Sequence, residues 1–189
     1  MSTGTSRRRL LTGMGAAALG LVAHSSLRSV AAAVPPAAVP ISPERRLVFQ
    51  SLHTGERLET VYRSELGYRE DSLKDVAKVL RDHRTNDIHE IDPALLDLLF
   101  GLRMTLRTDQ AFQVISGYRS PVTNLKLASA SSGVAKHSLH TRGMAIDIRV
   151  HDVPLTQLRD TAKGLGLGGV GFYPKDDFVH VDVGRVRAW

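Results

Sequence analysis

Hydrophobic and polar positions along the chain divide it into short periodic blocks. Residues 46–53 (RLVFQSLH) alternate well enough for a strand, Thr54-Gly55 supplies a turn, and residues 57–63 (RLETVYR) return as the second arm of a hairpin. Leu73, Val76, Val79 and Leu80 recur at helical spacing, which predicts a helix through Arg81 with Asp71-Ser72 as its cap. A second helix starts at Asp92-Pro93, where proline suits the first turn, and runs to Arg107. Its Leu95, Leu98, Leu99, Leu102 and Leu106 form an inward stripe. Three apolar runs read as strands: 112–116 (FQVIS), 143–150 (GMAIDIRV) and 178–183 (FVHVDV). Gly117-Tyr118 turns out of the first of these. A further helix is expected over 154–164, followed by a glycine-rich stretch over 164–171. Helices come early and strands late, which argues for an α+β fold: a small antiparallel sheet covered on one face by helices.

The first 33 residues break this pattern. Arg7, Arg8 and Arg9 precede a short, glycine-interrupted apolar stretch from Leu10 to Ala23, and Ala31-Ala32-Ala33 offers a small-residue cleavage site. Ser6-Arg7-Arg8-Arg9-Leu10-Leu11 resembles the twin-arginine export motif. The resemblance implies use of the twin-arginine export machinery and an extracytoplasmic, periplasmic destination. The apolar stretch is too short for an anchor, so no transmembrane anchor is expected in the mature chain. Residues 34–45 carry four of the eight prolines and read as a linker. The body is then one domain, residues 46–189.

Charge changes the picture less than it first suggests. Lys and Arg total 25 against 19 acids, a net of +6. Four of those arginines lie in residues 1–33, which hold no acid, so the rest carries 21 against 19, or +2. A nearly balanced body with one tryptophan is poor material for nucleic-acid binding, and none is expected. The absence of cysteine excludes disulfides, thiolate catalysis and cysteine-held metals.

Candidate chemistry is concentrated after Ser116. His140 and Asp147 lie seven apart, and His180 follows within an apolar strand. Two imidazoles and a carboxylate can hold one zinc ion and leave a position for water. Asp147, between Ile146 and Ile148, needs a cationic partner if its strand is buried. By spacing alone, a metal site and a set of hydrogen-bonded core residues are about equally supported.

A longer pattern adds to this. Ser138, His140, Gly143, Ala145 and Asp147 form S-x-H-x-x-G-x-A-x-D, upstream stands SGYRSPVTN (116–124), and downstream stand GGVGFYP (168–174) and FVHVDVG (178–184). Together these resemble the LAS zinc peptidases, the superfamily of lysostaphin-type enzymes, D-Ala-D-Ala peptidases and the hedgehog domain. Within it, the match is closest to the YcbK-type murein endopeptidases. The resemblance covers about residues 46–189. It implies a hedgehog/D-Ala-D-Ala-peptidase-like fold and an enzyme acting on peptidoglycan stem peptides. It also implies one Zn2+ held by His140, Asp147 and His180, and Arg119 as a group that contacts substrate or stabilises an oxyanion. For the general base, many relatives place an acid three residues before the last ligand, here Asp177. Others place a histidine two before it, where this chain has Phe178. YcbK-type proteins carry an acid two after it, here Asp182, which shares a strand face with His180. Asp182 is the expected acid near the metal water or the partner that orients His180, with Asp177 second and Asp176 expected in solvent. His137 and Ser138 are candidate substrate-binding residues. His53, His83, His89 and His151 carry no motif and are expected on the surface. Two other functions stay open: a D-alanyl-D-alanine carboxypeptidase, and a zinc-stabilised wall-binding module without catalysis.

Overall fold

The computed structural model describes residues 44–130, 135 and 137–189. The expected signal over 1–33 and nearly all of the expected linker over 34–45 lie outside the described residues. Among these residues, no helix is long and apolar enough to cross a membrane.

The chain opens with the hairpin read from its alternation: β1 (Arg45–Ser51) and β2 (Arg57–Ser64) pair antiparallel. The turn passes through Gly55 at φ +74. A short β3 (Gly67–Tyr68) extends the edge. Helix α1 (Glu70–Val79) begins before the expected cap. Asp71 and Ser72 lie inside its first turn, where Glu70 and Asp71 face the positive end of the helix. The Ser72 hydroxyl donates to the Val61 carbonyl, 2.9 Å away, tying the helix to β2 rather than capping it. Helix α2 (Pro93–Leu106) starts as expected, the Asp92 carboxylate accepting from the Ala94 N–H.

Strand β4 (Phe112–Ser116) leads into α3 (Pro121–Ala130), a helix the apolar pattern did not predict. β5 (Ala145–Val150), α4 (Leu155–Leu165), β6 (Gly169–Tyr173), β7 (Phe178–Asp182) and β8 (Arg187–Ala188) complete the domain. The sheet has eight strands in the order β3-β2-β1-β4-β5-β7-β6-β8.

The sheet is mixed rather than wholly antiparallel. β1 pairs parallel with β4, and β6 pairs parallel with β8. Two helices separate β1 from β4, which lets the chain re-enter from the same end. β8 reverses β7 and settles on the outer edge of β6.

Helices α1, α2 and α4 pack on the sheet, with α2 also against α4. Leu47 and Phe49 of β1, Leu95, Leu99 and Leu102 of α2, and Leu158 of α4 are completely buried in that core. Period-two alternation divides β5 and β7 between two faces. Ile146, Ile148, Val150, Val179 and Val181 join the core. Asp147, His180 and Asp182 therefore point to the opposite face, away from the core-forming side chains.

Candidate metal centre

Asp147 and His180 stand directly opposite each other across β5 and β7. Direct cross-strand partners on one face hold their side chains within contact distance, so the pairing register alone brings two members of the group together. His140 arrives from a 3-10 turn, Leu139–Arg142. Ser138 caps that turn, its Oγ accepting from the His140 N–H at 3.3 Å. Gly143 closes it at φ +65. A Cβ on Gly143 would stand 2.0 Å from the Glu90 carbonyl oxygen, so only glycine fits the turn against the segment before α2.

The three side chains converge. Asp147 Oδ1 lies 3.2 Å from His140 Nε2 and 2.9 Å from His180 Nδ1, and the two nitrogens are 3.1 Å apart. All three residues are buried. The outer nitrogens fix the protons. His140 Nδ1 faces the Gly117 carbonyl at 2.7 Å, and His180 Nε2 faces Asp182 Oδ2 at 3.0 Å. Each outer nitrogen must donate, since its partner can only accept. Each inner nitrogen is then left with a lone pair beside a carboxylate oxygen. Three acceptors in mutual contact need a proton or a metal cation between them, so the donor set fits a divalent ion. Among the described residues it is the one group of three or more His, Asp or Glu side chains so arranged.

Burial and pairing oppose each other at each ionisable group. Burial pushes the Asp147 carboxyl up, but His140 and His180 more than offset this and hold it well below the usual carboxylate range. Burial pulls His180 down, while its bonds to Asp147 and Asp182 leave it raised. Burial likewise lowers Arg119, against the opposing pull of Asp147.

Arg119 borders the same cluster. Its Nη2 lies 3.5 Å from Asp147 Oδ2 and 3.2 Å from Ser116 Oγ, while its buried Nε has no protein partner. The donor group lies in a cleft of about 450 Å³, whose walls include Arg119, His137, Tyr173, Asp176, Phe178 and Trp189. Ser138 also lines the cleft, although its hydroxyl is engaged in capping.

The two expected base candidates sit elsewhere. Asp182 is completely buried behind the His180 ring. Its Oδ1 accepts from Gly169 N and Gly184 N at 3.1 and 2.8 Å, and its Oδ2 accepts from Arg187 Nη2 at 2.7 Å. Asp182 thus meets the outer nitrogen of His180, on the side of the ring away from Asp147. Asp177 adopts φ +56, keeps its side chain 61% exposed and pairs with Arg149 rather than lining the cleft. Asp176 is exposed, as expected, and also borders the cleft. His53, His83, His89 and His151 lie outside it.

The C-terminal residues 185–189 (RVRAW), which by sequence either pack back on the sheet or border the cleft, do both: Arg187 lies in β8 beside β6, and Arg187 and Trp189 line the cleft with Tyr173 of the GGVGFYP motif. The glycine-rich stretch was the available signal for that docking. Gly169 and Gly171 lack the side chains that would collide with Arg187 and Trp189.

Residues 40–189 match the family model described as peptidoglycan L,D-endopeptidase MepK. The chain is 40% identical over 185 residues to the peptidoglycan L,D-endopeptidase MepK of Escherichia coli K12, covering 96% of each chain. It is also 42% identical over 146 residues to the probable peptidoglycan L,D-endopeptidase MepK of Haemophilus influenzae, covering 77% of this chain and 78% of that one. No solved structure matches. A family match over the whole folded body, with similarity extending across nearly the full chain of one relative, means that this protein belongs to the peptidoglycan L,D-endopeptidase MepK family.

Proposed function

We propose that this protein is an exported, zinc-dependent murein endopeptidase that hydrolyses peptide cross-links of the cell wall, at a bond between an L- and a D-configured residue. The observation that carries the reading is the convergence of His140 Nε2, Asp147 Oδ1 and His180 Nδ1 in an open cleft. Two nitrogens and one oxygen suit zinc, and three protein donors are the number typical of a catalytic site, whereas structural sites use four. Zinc held there supplies Lewis acidity toward the scissile carbonyl and toward water.

The chain's own residues do the rest. Gly117 O and Asp182 fix the two imidazoles so that their free lone pairs face inward. Arg119 holds a guanidinium beside the donors at the cleft wall, where its positive charge favours the oxygen that gains negative charge as the amide is attacked. Asp176 and His137 line the cleft outside the donor set and supply the carboxylate and the imidazole that can serve there as the base for the attacking water. The relatives' names support peptidoglycan as substrate and the L,D bond as the target. The sequence of residues 1–33 supports export by the twin-arginine route to the periplasm.

The test is mass spectrometry of purified cross-linked muropeptides incubated with the protein, with added zinc or with a chelator. The expected result is a zinc-dependent gain of one water that resolves dimers into monomers. Loss of only a terminal D-alanine would make the protein a carboxypeptidase. No mass change from folded, zinc-loaded protein would make it a binding module.

A further inference from the structure

Strand β6 is built around absences. Gly171 pairs with His180 across β6 and β7. A Cβ on Gly171 would lie 2.8 Å from Cε2 and Cζ2 of Trp189 and from Cε2 of Tyr173. A Cβ on Gly169 would lie 2.4 Å from Arg187 Nη1. The indole and the guanidinium thus occupy space that any other residue in β6 would fill.

Trp189 is fixed from several directions. Its N–H donates to Val170 O at 3.2 Å, and its carbonyl accepts from Phe172 N at 3.0 Å. Its Nε1 donates to the Tyr173 hydroxyl at 2.7 Å. Arg187, itself held by Asp182, lies 4.8 Å over the ring. Despite these restraints, Trp189 remains 51% exposed. Its ring centroid is 5.3 Å from that of His180, at an interplanar angle of 49°. An immobilised, half-exposed aromatic face beside a metal-donor imidazole adds little to the core and much to the cleft.

We infer that Trp189, braced by Tyr173, is a specificity-determining wall of the cleft that packs against the aliphatic side chain of the residue adjoining the scissile peptide bond. The distance sets which part of a substrate is met. One extended residue spans about 3.5 Å, so a ring 5.3 Å from the His180 ring stands within one or two residues of the bond held at the donors. The chemistry sets the partner: a fixed aromatic face takes CH-rich surface with little loss of entropy. This inference rests on the proposal that the cleft hydrolyses a peptide bond.

The chain contains a single tryptophan, so its emission reports on this wall alone. In the full chain held with a chelator, titration with a purified cross-linked muropeptide dimer should change the emission saturably. With zinc restored, Trp189→Ala should raise KM about tenfold and leave kcat within about twofold, the effect of losing roughly one good apolar contact. Trp189→Phe should recover most of the loss. Zinc content and thermal midpoint of Trp189→Ala should match the parent, which separates a recognition role from a folding role. An unaltered KM in Trp189→Ala, with parental emission insensitive to a dimer that the parent cleaves, would overturn the inference. If the parent changes its emission with the dimer yet never cleaves it, the proposed reaction fails while the wall stands. Silence in both assays overturns both.

Discussion

Replacing Asp182 with asparagine tests whether the carboxylate behind His180 holds the proposed metal centre together. The amide retains one oxygen, which can still accept from Gly169 N and Gly184 N. Its nitrogen then faces His180 Nε2 and Arg187, where the carboxylate accepted from both. Losing a buried charge-assisted hydrogen bond to the imidazole costs about 1.5–3 kcal/mol. Losing the pair with Arg187 adds no more than about 1 kcal/mol, because that side chain is 31% exposed and turns to water. The expected destabilisation is about 2–4 kcal/mol, or roughly 6–12 °C in Tm for a domain of this size. The metal effect follows a separate path. With no acceptor behind it, the His180 ring is free to move its proton to Nδ1, which removes the inward lone pair. Zinc affinity should fall about 10–100-fold. Calorimetry of the apo protein measures the first quantity, and chelator competition measures the second. Asp177→Asn, an exposed substitution next to Arg149, is the control and should stay within about 0.5 kcal/mol. If Asp182→Asn binds zinc as tightly as the parent and melts no lower than Asp177→Asn, the assignment of Asp182 as the orienting partner is wrong.

Three further outcomes follow from particular contacts. Arg119→Lys keeps a charge but loses the planar guanidinium held between Asp147 and Ser116, so kcat on cross-linked muropeptides should drop about 10²–10³-fold with zinc content unaltered; an unchanged kcat removes Arg119 from the reaction. Gly143→Ala forces a Cβ to within 2.0 Å of Glu90 O at a positive φ, and urea unfolding should show a loss of at least about 3 kcal/mol. Asp82 titrates away from the metal centre. Burial pushes its carboxyl up, yet hydrogen bonds from Thr123, Ser120 and the Arg84 and Ser120 N–H groups hold it well below the usual range. Its contribution to stability is therefore present above about pH 4 and lost as pH falls below that, so Asp82→Asn should flatten the acid limb of the stability–pH curve. An unchanged limb in calorimetric scans would show that Asp82 is not held in this way.

Elements with a strong local signal were legible in the sequence. The alternation of β1 and β2, the Asp92-Pro93 start of α2 and the apolar runs of β4, β5 and β7 all lie close to where the pattern placed them. Helix α3 was missed because its apolar stripe is weak, although Ser120 before Pro121 was a readable start: the Ser120 hydroxyl accepts from the Thr123 N–H. Strand β6 was hidden by its own glycines. Gly169 and Gly171 lower strand propensity, and the reason they are there lies some 18 residues on, in Arg187 and Trp189. No local pattern encodes a clearance between residues that far apart.

The donor group has the same two-level character. Its residue types stood in the motif, but their convergence depends on pairing. Asp147 and His180 meet because β5 and β7 align them, and a slip of one residue would send one of them into the core among Ile146, Ile148, Val179 and Val181. The apolar alternation of both strands excludes such a one-residue slip, since it would turn isoleucines and valines out of the core. The strands that build the core therefore also set the metal-donor geometry. A core substitution in β5 or β7 that shifts the register should lower zinc affinity without touching a ligand. Asp182 could not be separated from the general base by spacing, because Asp182 and a base facing the cleft occupy the same strand face as His180. What distinguishes them is which side of the imidazole the carboxylate occupies, and that is decided by Gly169, Gly184 and Arg187, which surround Asp182 and draw it behind the ring.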